Sequence, residues 1–234
     1  SYLARAQLVA KYRLGGLAEW TIGMEEQSAT DGIRRTALTI APDAVLLSLA
    51  TDQMAVKYGS FINLTGQATL KDKTNLPSLP VYLEFKGADE TTWRQIGKST
   101  TTDTGSIATA IYLAKSGKLR ITSEGTWELI AGLSSEISVT INPRLNITAP
   151  TSAKAGTAFK VMVSVAPAST GTQVALRRFD GKAWNTVSLV PLLATGTELS
   201  HTELIRGVYS YQVLVFNSAE SAESTSAPFV VLVR

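Results

Sequence analysis

The 234-residue sequence predicts a mainly β protein: two tandem antiparallel immunoglobulin-like β-sandwiches preceded by a short helix–strand–helix segment. Three observations carry that expectation. From Leu46 onward, apolar residues alternate with polar ones, the period of a strand with one buried face. The alternating pattern then occurs a second time, with its landmarks displaced by 90 to 97 residues. Serine and threonine make up 50 residues but only 6 of the first 45, so composition changes where the pattern changes.

Residues 2–12 place Leu3, Ala6, Leu8, Val9 and Tyr12 at mixed three- and four-residue spacing, which predicts an amphipathic helix. Gly15-Gly16 is expected to stop it, since glycine adopts the left-handed conformation that follows a helix end. Leu17–Ile22 is short and largely apolar, as a buried strand is. Ser28 or Thr30 can cap a second helix running to about Ala41, with Ile33, Ala37 and Ile40 on one face. Pro42 ends it, because the residue before proline avoids the helical region. A lone strand flanked by helices needs a parallel sheet beside it. The opening at Ser1-Tyr2-Leu3, with no initiator methionine and already helical in pattern, suggests a processed product or a fragment of a longer protein.

In the next stretch Ile62, Leu64, Ala68 and Leu70 alternate with polar residues. Val81, Leu83 and Phe85 do the same, followed by Leu119 and Ile121 and then by Ile137, Val139 and Ile141. Asp72–Asn75, Gly87-Ala88-Asp89, Asp103-Thr104-Gly105 and Ser116-Gly117 read as turns between them. About seven short strands in such a span predict a sandwich. The repeat aligns Tyr58-Gly59-Ser60 with Ala155-Gly156-Thr157, and Val81 and Leu83 with Val174 and Leu176. It also aligns Trp93 with Trp184, Gly117 with Gly207, and Ile137 with Phe229. The expected units are therefore residues 1–45, 46–142 and 143–234, joined at Asn142-Pro143-Arg144 by a very short linker with limited independence of the two sandwiches.

Composition narrows the chemistry. The absence of cysteine excludes disulfides, thiol catalysis and Cys-ligated metals, one histidine leaves no His cluster for a metal and no obvious His-based triad, and no cofactor or metal is expected. A net charge of +3, without a basic stripe, argues against nucleic acid. That excess lies wholly in 143–234, with 8 basic against 5 acidic residues, a hint of affinity for an anionic surface. No apolar run approaches the ~20 residues of a membrane span.

The segment Leu8–Glu25, with Lys11-Tyr12-Arg13-Leu14-Gly15-Gly16 leading into Leu17–Ile22, resembles the end of a glycoside hydrolase family 18 (chitinase-type) barrel. There, a helix ending in K-Y-x-L-G-G feeds the eighth strand, which carries a tryptophan at its mouth. The resemblance implies that 1–45 is the last β/α unit of a TIM barrel and that Trp20 is a sugar platform, its indole offering an apolar face to a pyranose. The downstream sandwiches resemble bacterial immunoglobulin-like or fibronectin III-like modules. Their x-G-x-x-W-x-x-V/I hairpin pattern is matched in full at Gly181-Lys182-Ala183-Trp184-Asn185-Thr186-Val187, and in its W-x-x-V/I half at Trp93-Arg94-Gln95-Ile96.

Family 18 catalysis uses an acidic run, D-x-x-D-x-D-x-E, and none occurs here, so no catalytic residue is assigned and this chain is expected to be inactive. The resemblance implies a non-catalytic region of a secreted bacterial glycosidase. Its sandwiches would act as spacers or contact a chitin-like or peptidoglycan-like polysaccharide or another cell-surface glycan, with the rest of the parent chain as a further partner. The alternatives are a bacterial cell-surface or adhesive module of immunoglobulin-like repeats, and a carbohydrate-binding module. For the last, Trp93, Trp127 and Trp184 are the candidate platform, with packing at the core or rim as the competing reading. His201 near Glu203 reads as an exposed strand residue.

Overall fold

The computed structural model describes residues 2–12, 14, 26–40, 42–169 and 171–234. Helix α1 (Tyr2–Tyr12) packs on α2 (Gln27–Ile40), and Val9 is buried. The second helix begins at Gln27, so Ser28 and Thr30 lie inside it and neither is its cap. It is described as far as Ile40, and Ala41, at which the sequence expects the end, lies outside the described residues. The strand expected over Leu17–Ile22, the Gly15-Gly16 stop and Trp20 all lie outside the described residues. A barrel remnant is not supported: the helices meet each other, and the chain then enters a sandwich.

That sandwich comprises β1 (Asp43–Ala44), β2 (Leu46–Thr51), β3 (Ala55–Lys57), β4 (Phe61–Thr69), β5 (Pro80–Gly87), β6 (Arg94–Thr100), β7 (Ser106–Tyr112), β8 (Gly117–Thr122), β9 (Leu129–Ile130) and β10 (Ile137–Asn142). One sheet has the order β2-β4-β7 and the facing sheet β3-β10-β8-β5-β6. Neighbours are antiparallel except β3, which runs parallel to β10, and the small β1–β9 pair, also parallel. Val45 belongs to the core, so the sandwich begins at Asp43 rather than at Leu46. Alternation sets the buried face: Ile62 and Leu64 from β4, Val81, Leu83 and Phe85 from β5, and Leu119 and Ile121 from β8 form one cluster. Ser116-Gly117 is not a turn. Gly117 opens β8, where a Cβ would collide with the Lys86 backbone oxygen and the Phe85 ring.

The second sandwich repeats the plan with β11 (Arg144–Thr148), β12 (Ser152–Ala153), β13 (Phe159–Ala166), β14 (Gln173–Phe179), β15 (Trp184–Pro191), β16 (Thr197–His201), β17 (Gly207–Val215), β18 (Ser224–Thr225) and β19 (Phe229–Val233). Its sheets are β11-β13-β16 and β12-β19-β17-β14-β15, with β18 alongside β17. In both sandwiches the first strand leaves one sheet and its continuation joins the other, parallel to the last strand. Two sheets so connected make an immunoglobulin-like sandwich. The aligned landmarks hold equivalent places: Gly59 and Gly156 both take positive φ in the turn before the long second strand, and Gly117 and Gly207 both open the same central strand. A separate apolar cluster, including Phe159, Leu176, Tyr211 and Val231, fills the second core.

Candidate functional site

A single residue, Pro143, separates β10 from β11, so the last strand of one sandwich runs almost directly into the first strand of the next. Two backbone hydrogen bonds cross the joint. The Ser116 N–H donates to the Glu220 carbonyl (2.7 Å), and the Ala222 N–H donates to the Ile141 carbonyl (2.9 Å). The loop between β17 and β19 thereby rests on the end of the first sandwich where β7 turns into β8. Ser116 is central there: its hydroxyl also accepts the buried Ile141 N–H (2.9 Å).

The surface receiving that loop is braced by charge. Lys115 Nζ reaches Asp89 Oδ1 (2.7 Å) and Glu90 Oε1 (2.8 Å), tying the β5–β6 hairpin to the segment beside Ser116. The lysine holds both carboxyls below their ordinary range, chiefly by its hydrogen bonds to them, and its own pKa is raised in return.

Beside the joint lies a cleft of about 580 Å³, lined by Lys57 and Arg144 at its cationic wall, by Leu145 and Ile147, and by the segment from Ser224 to Phe229. No carboxylate lines it, and among the described residues neither Lys57 nor Arg144 has an ion-pair partner. The positive excess noted in the sequence thus has one local expression, since Arg144 belongs to the second sandwich and Lys57 to the first.

The three described tryptophans are not brought together. Trp93 sits in the β5–β6 turn at the joint end of the first sandwich, where Arg120 (4.1 Å) and Lys86 (5.0 Å) stack on its ring. Trp127 is 59% exposed and lies in the loop between β8 and β9, at the opposite end. Tyr82 and Gly87 on β5 pair with the two ends of β8, so these ends lie about 17 Å apart at ~3.3 Å per residue. Trp184 opens β15 at the far end of the second sandwich and packs on Phe179 (5.2 Å, 44°). The three rings occupy three levels along the tandem.

A buried ionic cluster, which the sequence does not announce, closes the far end. Glu203 accepts from Arg178 at both carboxylate oxygens (2.8 and 2.9 Å), from the Tyr211 hydroxyl (2.8 Å), and lies 3.0 Å from His201 Nε2. Burial pushes its carboxyl up, but the hydrogen bonds from Arg178, Tyr211 and His201 outweigh that and hold it below the ordinary glutamate range. Burial and the hydrogen bond to Glu203 push the Tyr211 hydroxyl pKa well up. His201 is thus a half-buried member of a network rather than an exposed strand residue. The alternation of β16 ends at His201, and a Glu two residues beyond it was the available signal. Tyr209 adds a tie to the same loop by donating to the Ile205 carbonyl (2.9 Å).

No group of three metal-ligating side chains occurs among the described residues. No helix among them is long and apolar enough to cross a membrane.

No protein-family model matches the chain, and no curated protein matches it, so the glycosidase resemblance of residues 8–25 gains no support. Among solved structures, the chain is similar to the D0-D1 domain of intimin at 15% identity, covering 80% of this chain and 97% of that one with a TM-score of 0.30. It is similar to the Yersinia pseudotuberculosis adhesin InvE at 9% identity, covering 80% and 58% with a TM-score of 0.39. It is also similar to a marsupial T cell receptor at 10% identity, covering 80% and 72% with a TM-score of 0.38. TM-scores this low leave the chain's own sheet order as the ground for its architecture.

Proposed function

We propose that residues 43–142 and 143–234 are two units of a stiff spacer in a secreted or cell-surface protein, an immunoglobulin-like structural module rather than part of a glycosidase barrel. One observation carries the reading: a one-residue linker reinforced by two backbone hydrogen bonds, Ser116 to Glu220 and Ala222 to Ile141. A flexible connection would need several unpaired residues. Each crossing bond contributes about 0.5–1.5 kcal/mol, enough together to bias the joint strongly toward one geometry.

The test is small-angle scattering of the full chain, of Ala222→Pro, and of a form with a Gly-Ser insertion after Pro143. The wild type should scatter as one rigid shape, with both variants broadening its distance distribution. Wild-type scattering already matching the insertion form would overturn the reading.

A second reading, contact between the spacer and an anionic glycan, is favoured by the carboxylate-free cleft at Lys57 and Arg144. Titration with an oligo-uronate should show binding that falls at least tenfold in the Lys57→Ala, Arg144→Ala double variant. Equal binding by wild type and variant, or none, removes it.

A further inference from the structure

We propose that the first sandwich pairs sideways with a second copy of this chain through the free edge of β7. A sheet edge is a template for a further strand, and folded chains blunt it with charge, proline, bulges or brevity. The other sandwich edges are treated in this way. Strand β6 carries Arg94 and Lys98 and meets β5 across a bulge. Strand β15 has a bulge and ends at Pro191. Strands β11 and β16 are five residues long and carry Arg144 and Glu198, and β3 and β12 are shorter still. Strand β2 runs on into β3, so the chain itself crosses that side. Strand β7 has seven residues, no charge, no proline and an unbroken register with β4.

The direction of its backbone groups follows from one bond. The Ala68 N–H donates to the Gly105 carbonyl (2.9 Å), and from there alternate residues of β7 turn toward β4 and away from it. Ser106, Ala108, Ala110 and Tyr112 turn away. Ser106 demonstrates the sense: its carbonyl accepts the Thr102 N–H (3.0 Å), and its own N–H donates to the Thr102 hydroxyl (3.1 Å). The backbone groups of the next three have no hydrogen-bond partner among the described residues. A groove of about 460 Å³ separates Ala110 and Tyr112 from Arg94–Ile96 of β6, which leaves a strand room to approach.

A second β7 fits this edge. About a two-fold axis at Ala110, that residue faces its own copy, and Ala108 faces Tyr112 of the other chain. Every outward N–H and C=O of the three residues is then paired on both sides. The opposing alanine leaves space for the Tyr112 ring, which meets Tyr58 edge-on at 5.8 Å. No charge is brought against its like, because β2, β4 and β7 contain no charged residue. The corresponding sheet of the second sandwich carries Arg144, Lys160 and Glu198, so the uncharged sheet belongs to one unit and not to the fold. The axis runs the two chains in opposite directions, which puts their second sandwiches at opposite ends of the pair.

The inference goes beyond the spacer reading and can fail without it, since Ala110 takes no part in the bonds that cross the joint. Sedimentation velocity of the full chain should show a mass that rises with concentration to that of a dimer and no further. Ala110→Lys and Ala110→Glu each set like charges across the axis, and each alone should stay monomeric. Mixed in equal amounts they should dimerise again, and high salt should weaken the mixed dimer but not the wild type. The chain has no cysteine, so Ala110→Cys is a second readout. Directly opposed, hydrogen-bonded residues lie about 5.5 Å apart, within reach of a disulfide. Oxidation should cross-link Ala110→Cys at least about tenfold faster than Thr65→Cys, which is exposed on β4. Ala110 is exposed, and unchanged thermal unfolding of the variants confirms the fold. A wild type monomeric up to millimolar concentration overturns the inference, as does a dimer undiminished by Ala110→Lys or equal cross-linking at the two positions.

Discussion

Replacing Tyr211 by phenylalanine removes one hydroxyl from a fully buried ring and leaves the aromatic packing in place. The ring keeps Phe159 at 5.4 Å and Phe229 at 5.9 Å. What is lost is the 2.8 Å hydrogen bond to Glu203, whose side chain is only 7% exposed. A hydrogen bond to a charged acceptor contributes about 1.5–3 kcal/mol. Arg178 and His201 still serve the carboxylate, so about 2 kcal/mol is the expected loss at neutral pH. For a unit of this size that lowers the melting temperature by roughly 8–16 °C. The folded-state pKa of Glu203 is depressed, so its contribution is present above the unfolded value of about 4.3 and is lost as pH falls through the folded value. Urea denaturation followed by circular dichroism, at neutral pH and again in acid below the folded-state value, measures both effects. The penalty should shrink in acid. A neutral-pH loss under about 0.5 kcal/mol, or the same loss in acid, would refute the assignment of Glu203 as an ionised hub.

Gly97→Ala on β6 should stabilise the first sandwich by up to about 1 kcal/mol. Its new methyl meets Leu83 at ordinary contact distance, beside a core void of about 50 Å³. Gly66→Ala on β4 should do the reverse, with a loss of about 2 kcal/mol or more, because its Cβ would lie 2.5 Å from the Ser48 carbonyl oxygen. Denaturation midpoints of the two variants, measured side by side, check both signs. Trp93→Ala should cost about 1 kcal/mol or more through the lost stacking with Arg120 and Lys86, again read from a denaturation midpoint. Ser116→Ala orphans the buried Ile141 N–H, and a loss of about 1–3 kcal/mol is expected, with faster amide exchange at Ile141 as the local readout.

The sandwiches are legible in the sequence because their strands bury one face, so Val81, Leu83 and Phe85 announce themselves by alternation. The repeat is legible because the landmarks fall where geometry restricts choice. Gly117 must lack a side chain to pass Lys86, and Gly59 must turn the chain with positive φ. The first three residues of the sandwich, Asp43 to Val45, escape a periodicity argument: β1 is two residues long and pairs with a distant loop. Long-range association hides the Glu203 network in the same way. Arg178, His201 and Tyr211 come from three strands, and only folding brings them within about 3 Å of one carboxylate. The separation of Trp93, Trp127 and Trp184 follows from the direction each strand runs, which residue spacing alone does not encode.

The parallel pairing of β3 with β10 and of β12 with β19 has a mechanical consequence. In each sandwich, a strand near the chain's entry lies beside the strand at its exit, both pointing the same way. Tension applied along the chain slides one strand past the other, so the hydrogen bonds between them share the load instead of opening one after another. Backbone bonds extend both clasps, Thr140 N–H to the Met54 carbonyl and Tyr58 N–H to the Asn142 carbonyl at the first, and Leu232 N–H to the Thr151 carbonyl and Ala155 N–H to the Arg234 carbonyl at the second, so the two sandwiches are expected to resist a pulling force alike.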